Sequence, residues 1–470
     1  LGDVYKRQEY SEVKFMRKSF IAGLLLATAI ATPASAETIF DALSETYKTN
    51  PTLQAQRAYL RSVDENVAIA KSGYRPTIAL TAGYTDASGK TKNSQVGTNV
   101  ENDGDTTSIG AKISQPLFNG FQTMNSVKAA DSTVKAEQNN LYSTEQTVFL
   151  DAATAYLDVL QNEAIVNLQK NNEKLLKKRL DETIQRFNVG EVTRTDVSQS
   201  RARYSKAVSD RIASEGTLAA SKATYTKIIG NAPEDLKEPK SISEMLPKTL
   251  DEAMTYATDN NYNIKTAKNA FNAASYQVAY NNGALLPAVS LDGIASKTHN
   301  DLDRTPGTNK TDNLEIGVNM TVPLYTAGKT RAEIRQSKYQ KWQAQEQLME
   351  TERAVAASVS SAWEYMVSND SKIKSIIDQV KANEIALEGV QKEEALGNRT
   401  ILDVLDAYQE LLNSNVEEVK ARRDYYVSGM TLLLAMGKLT AEDLKLNVEL
   451  YNADKYYQDT KGKWLSLSID

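Results

Sequence analysis

The stretch Leu314-Glu315-Ile316-Gly317-Val318-Asn319-Met320-Thr321-Val322-Pro323-Leu324-Tyr325 decides how the rest of the chain is read. Apolar Leu314, Ile316, Val318, Met320 and Val322 alternate with Glu315, Gly317, Asn319 and Thr321. A period of two is a strand with one apolar and one polar face. Pro323 lacks the N–H that would continue a ladder, so the strand stops there. Residues 329–388 then contain neither Gly nor Pro. Through them and just beyond, a 4,3 spacing links Val355, Val359, Ala362, Met366, Asn369, Ile373, Ile376, Val380, Asn383, Leu387 and Val390. That is a heptad seam. A helix of this length is roughly 90 Å long, against about 11–12 residues for an average globular helix.

The whole pattern occurs twice. Gln115-Pro116-Leu117-Phe118 returns as Val322-Pro323-Leu324-Tyr325, and Thr193-Arg194-Thr195-Asp196-Val197 as Thr400-Ile401-Leu402-Asp403-Val404, both at an offset of 207. Upstream, Arg75-Pro76-Thr77-Ile78 matches Leu286-Pro287-Ala288-Val289 at 211. Alternation also runs through Ile78, Leu80, Ala82 and Tyr84, through Ile109, Ala111 and Ile113, and through Val289, Leu291, Gly293 and Ala295. Between the paired strands, residues 86–106 and 297–313 read as polar, glycine-rich loops. Each long helix ends near Gly190 or Gly397, and Thr193-x-x-Asp196 and Thr400-x-x-Asp403 open return helices as capping boxes. The seam is sparsely apolar (Gln169, Glu173, Thr183), so further helices must pack beside each hairpin.

Composition narrows the function. The chain has 470 residues, no cysteine, one histidine, 55 Lys+Arg and 60 Asp+Glu. Thiol chemistry, disulfides and multi-histidine metal sites are excluded, no cofactor is expected, and a net charge of -5 does not suggest a nucleic-acid partner. No nucleophile elbow or phosphate-binding glycine loop is present, so the chain does not read as an enzyme. A mean hydropathy of -0.47 excludes a polytopic helical membrane protein. Met16-Arg17-Lys18, the apolar run from Phe20 to Ile30 and Ala34-Ser35-Ala36 have the parts of a secretory signal peptide.

The expected organisation is an upstream extension (1–15), a signal peptide (16–36) and a first repeat (37–230) with strands 77–85 and 107–116 and hairpin 121–230. A linker (231–250) leads to a second repeat (251–439) with strands 288–296 and 314–323 and hairpin 329–437, then a C-terminal segment (440–470). The fold class is mainly α with a transmembrane β sector. Strands that face lipid must pair at every edge, so they close into a barrel. Four strands are too few, and two, three or four copies would give barrels of 8, 12 or 16. The barrel belongs in a bacterial outer membrane, with the hairpins in the periplasm.

This layout, the two Pro-Leu-aromatic junctions, Arg186-Phe-Asn-Val-Gly190 and Gly397-Asn-Arg-Thr-Ile-Leu-Asp-Val-Leu-Asp-Ala407 resemble the TolC family across about residues 37–450. The resemblance implies a homotrimer, with four strands per chain in a 12-stranded β-barrel and long hairpins in an α-barrel. It implies a passive exit duct for multidrug efflux or type I protein secretion. The partners implied are a periplasmic adaptor and an inner-membrane efflux pump or ABC secretion ATPase. Residues 231–250 and 440–470 would form an equatorial belt.

It also implies site residues. Asp403 and Asp406, one helical turn apart, match stacked carboxylate rings at the pore constriction. For Asp403 the plain alternative is a helix cap, because its repeat mate is Asp196. Asp406, whose mate is Gln199, has no such explanation. Arg399, Thr195 and Asp196 match residues that link neighbouring hairpins and hold the mouth shut. Glu394 stands where the family often carries tyrosine, and either Arg194 compensates or the closed state is looser. Val189, Gly190, Leu396 and Gly397 form tips that would meet the adaptor, besides capping helices. His299 with Asp301 and Asp303, and residues 102–105, lack full calcium-loop spacing and read as solvated loops. The alternative function is a periplasmic coiled-coil scaffold without a lumen.

Overall fold

The computed structural model describes residues 37–93, 98–302 and 309–468; the signal-peptide and upstream readings and Asp303 lie outside them. The chain runs α1 (Ile39–Thr49), α2 (Pro51–Ser72), β1 (Thr77–Asn93), β2 (Thr98–Asn119), α3 (Gln122–Asn188) and α4 (Arg194–Ile229). It then repeats that order as α5 (Leu250–Asn260), α6 (Tyr262–Gly283), β3 (Ala288–Leu302), β4 (Asn309–Thr321), α7 (Lys329–Ala395) and α8 (Ile401–Met436), and adds α9 (Ala453–Thr460). Matching helices have equal lengths: 67 residues for α3 and α7, 36 for α4 and α8, 22 for α2 and α6 and 11 for α1 and α5. Sixty-seven residues make a helix about 100 Å long.

The seam is where α7 is buried. Beyond Ser337 its buried residues are Val355, Val359, Ala362, Met366, Ile376, Val380 and Leu387, all seam positions. The polar seam residues Asn369 and Asn383 reach the opposite helix, donating to the carbonyls of Asp424 and Glu410 (both 3.4 Å). In α3 the seam residue Glu173 is met by Arg211 of α4, so its charge is partnered rather than simply buried.

The largest core lies beside the middle of α3. Phe149, Tyr156, Leu43, Leu53, Tyr225, Ile242, Leu433 and Leu439 gather there from α1, α2, α3, α4, α8 and the non-helical segments that follow α4 and α8. Each such side chain is worth about 1.5–3 kcal/mol when fully buried. The Tyr156 hydroxyl donates toward the carbonyls of Glu37 and Lys237 (2.8 and 2.7 Å), and Ala441 N–H donates to the buried Glu145 carboxylate at 2.7 Å. Asn50 and Asn261 each cap a helix and donate to the end of a return helix, at the carbonyls of Ile228 and Ala435 (both 2.8 Å). Toward the hairpin tips buried residues thin out: α4 has only Ser200 and Ala207 buried before Tyr225.

The four strands form one antiparallel sheet in the order β1-β2-β3-β4. Its register places Ile78 opposite Ile113, Leu80 opposite Ala111, Leu291 opposite Val318 and Ala295 opposite Leu314, so the apolar residues share one face. Ile78, Leu80, Leu314, Ile316, Val318 and Met320 are all exposed. The other face carries Lys112, Glu315 and Asn319, and there Asp292 accepts from Ser114 (2.6 Å), Ser290 (2.7 Å) and Asn319 (2.7 Å). The strands run further than the apolar alternation. β1 continues to Asn93, β2 begins at Thr98, β3 reaches Leu302 and β4 begins at Asn309, so most of the expected loops are strand. Once two strands are in register, each further pair adds ladder bonds whatever its polarity. β4 ends at Thr321, two residues before Pro323, and the β2–β3 register shifts between Pro116 and Phe118. Among the described residues no helix is long and apolar enough to cross a membrane.

Candidate functional site at the hairpin tips

Both tips are built alike. Gly190 and Gly397 hold φ of +80° and +79°. Glu191 N–H donates to Arg186 O and Gly190 N–H to Phe187 O (2.9 and 3.0 Å), and Asn398 and Gly397 donate to Glu393 O and Glu394 O (both 2.9 Å). This pair of bonds is the Schellman closure, which places glycine at the left-handed position. Val189 and Leu396 are 77% and 78% exposed at the apices.

The return helices open with complete capping boxes. Thr193 donates through its N–H (2.8 Å) and hydroxyl (2.7 Å) to Asp196, and Thr400 does so to Asp403 at 2.9 and 2.8 Å. The Thr400 backbone and hydroxyl bonds, with Arg399 nearby, hold the Asp403 carboxyl below its ordinary value. Asp403 is therefore a cap in the single chain. Asp406 faces out on the next turn and pairs with Arg203 of α4. Arg399 pairs with Glu393 across its own tip at 2.8 Å. Thr195 and the exposed Arg194 begin α4 beside Asp196. Within one chain the partner of Arg399 is thus Glu393, not Thr195 or Asp196.

Glu394 is compensated, by Arg186 rather than Arg194. Arg186 donates to it at 2.6 Å and also pairs with Glu191 at 3.2 Å. Arg186 lies on α3 and Glu394 on α7, so this bond joins the two hairpins. Arg203 with Asp406 joins them again, between α4 and α8. A third link is Tyr408 of α8, whose hydroxyl accepts from Arg179 of α3 at 3.2 Å and from Gln391 of α7. Leu176, Ala207 and Leu405 pack beneath these contacts. Sequence reading assigned a role to none of Arg179, Arg186, Arg203, Gln391 and Tyr408. One signal was available: Arg186 and Arg203 have Glu393 and Glu410 as repeat mates, so the two copies differ in charge at these places. Among the described residues no cluster could hold a metal. His299 lies in β3, with Lys310 of β4 opposite it, rather than in a loop.

The arrangement is a duplicated strand–hairpin unit with exposed tips and an edge-open sheet, the class of envelope channel built from long helical hairpins. Residues 42–231 and 254–438 match the family described as outer membrane efflux protein. The chain is 37% identical to the outer membrane efflux protein BepC of Brucella suis biovar 1, over 97% of this chain and 98% of that one. It is 26% identical to the outer membrane protein TolC of Escherichia coli K12, over 87% and 84%. The crystal structure of the Campylobacter jejuni CmeC outer membrane channel superposes with a TM-score of 0.75 at 16% identity, over 90% of this chain and 89% of that one. The protein belongs to the outer membrane efflux protein (TolC) family: it is an efflux channel of the outer membrane and not an enzyme.

Proposed function

We propose that three copies of the chain close their sheets into one 12-stranded barrel, with the hairpins continuing the wall as an α-barrel in the periplasm. The observation that carries this is the sheet itself. It has one apolar, exposed face and two unpaired edges, β1 and β4, and in lipid neither edge can stay open. Joining β4 of one copy to β1 of the next satisfies both, with Lys112, Glu315 and Asn319 toward a water-filled lumen. The duct is passive and takes substrate from an inner-membrane efflux pump or ABC secretion ATPase through a periplasmic adaptor that engages Val189, Gly190, Leu396 and Gly397.

The gate is the tip assembly. Asp403 and Asp406 of three copies ring the axis, and Arg399 turns from Glu393 toward Thr195 and Asp196 of the next copy when the mouth is shut. Arg186–Glu394 holds the two hairpins of one copy as a unit while the mouth opens, a shift between two populated states. The test is a heat-modifiable trimer that conducts in planar bilayers; a trimer without conductance would support the lumen-free scaffold instead. Deleting the gene and comparing antibiotic sensitivity with the secreted proteome assigns the cargo.

A further inference from the structure

The C-terminal segment does not stop with the core at the middle of α3. It passes Tyr451, whose N–H donates to the Tyr47 hydroxyl at 2.9 Å, and enters α9. That helix lies between α2 and α3: Tyr457 joins the cluster of Val63, Val67 and Val134, and its hydroxyl donates to Asp131 at 2.8 Å. The chain then climbs to the base of the sheet. Arg75 donates to the carbonyls of Lys463 and Gly462 (3.2 and 3.3 Å), and its guanidinium lies 5.7 Å from the centre of the Trp464 ring. Arg75 is two residues before the first residue of β1, so its side chain ties residues 462–463 to the foot of that strand.

At that level the segment exposes Trp464 (66%), Leu465 (80%) and Leu467 (101%), with Lys463 beside them and Lys461 one turn back, where its ammonium donates to Gln458 and lies 5.3 Å from the centre of the Tyr457 ring. We infer that residues 461–468 are a membrane-interface anchor, seating Trp464, Leu465 and Leu467 in the periplasmic leaflet of the outer membrane and holding the two lysines at its phosphates. The inference rests on the reading that the apolar face of the sheet meets lipid, and it extends that surface below the strands. Leu117, Leu324 and Tyr325, near the strand–helix junctions, are exposed as well. Tryptophan prefers this zone because its ring is apolar and its N–H stays wet. An apolar cluster of this kind facing a water-filled lumen would have nothing to offset its exposure, so the outer side is the one that fits. Lys461 and Lys463 suit anionic headgroups better than they suit the apolar Leu324–Tyr325 junction of a neighbouring copy.

The full mature trimer carrying Trp342→Phe and Trp363→Phe leaves Trp464 as the sole tryptophan. It is reconstituted in phosphatidylethanolamine–phosphatidylglycerol vesicles whose acyl chains carry bromine either high or deep. Emission is expected to fall by about half with high bromines and by less with deep ones, as for an interfacial ring. A companion carrying Ile316→Trp with all three native tryptophans replaced by Phe reports on the sheet. Quenching of that companion but not of Trp464 overturns the anchor and spares the lipid-facing sheet. Quenching of neither overturns both. Trp464 shielded from aqueous acrylamide in detergent-held trimer yet unquenched by brominated lipid places it against a neighbouring copy, which also overturns the anchor.

Discussion

Glu394 shows how one side chain sets the character of the mouth. Its side chain is 14% exposed, so a carboxylate there needs a partner, and Arg186 supplies one from the other hairpin. Arg186→Ala leaves the charge half desolvated, at a cost of about 1–3 kcal/mol. It is expected to speed proteolytic nicking near residue 190, and adding Glu394→Gln should recover much of the resistance; no recovery would mean that Arg186 acts elsewhere. Arg399 and Glu393 are each 50% exposed, so solvent screens their pair and it contributes little in isolation. Arg399→Ala should nevertheless raise single-channel conductance if the residue turns to the neighbouring copy, and unchanged conductance removes it from the gate. At Gly190 a Cβ would meet nothing within 4 Å, but φ is +80°. Gly190→Asp therefore costs about 1 kcal/mol of backbone strain without a clash. It should leave the trimer intact in the outer membrane while efflux is lost.

Among the elements, the junctions and the central core carry the strain and the pH response. A Cβ on Gly283 would lie 2.2 Å from the Gly120 carbonyl oxygen and 2.8 Å from the Gln122 side chain, so the α6–β3 and β2–α3 junctions meet with no room for a side chain at this glycine. Gly283→Ala should cost about 3 kcal/mol, read as a lower trimer melting temperature. Glu145 is raised from 4.5 to about 7, chiefly by burial and further by Asp443 and Glu442, against the Ala441 N–H and Arg57. A carboxyl raised on folding binds its proton more readily in the folded chain, so stability is fullest below 4.5 and falls as pH rises through about 7. The loss is on the order of 3 kcal/mol. Glu145→Gln should flatten the difference in melting temperature between about pH 5 and about pH 8; an unchanged difference would assign it to other groups. The long helices were legible because Val355 through Leu387 keep one spacing, and spacing is what a seam needs. The upper strands were not, since their polar residues pair through the backbone, which carries no side-chain signature. Nor was the climb of residues 453–468, whose course follows from single contacts such as Tyr457 with Asp131.

For the whole molecule, duplication explains why so much could be read. Helices of equal length in both halves make each half a check on the other, and site residues stand out where mates differ, as Asp406 does from Gln199. The two cross-hairpin ion pairs also involve positions at which the copies differ in charge, Arg186 against Glu393 and Arg203 against Glu410. The placement of the main core also has a mechanical consequence. Side chains of α3 around residues 145–159 are clamped by α1 and the chain after α4 and α8, whereas the tip beyond is held by a seam and a few ion pairs. Asn369 and Asn383, bonded to backbone on the opposite helix, prevent the two arms of a hairpin from sliding past one another. Each hairpin is then a stiff lever with its fulcrum at the clamp and an arm of roughly 50 Å. Tilting that arm by about 5° carries the tip about 4 Å sideways, so a rearrangement at the fulcrum no larger than a rotamer change is amplified into a change of aperture at the mouth.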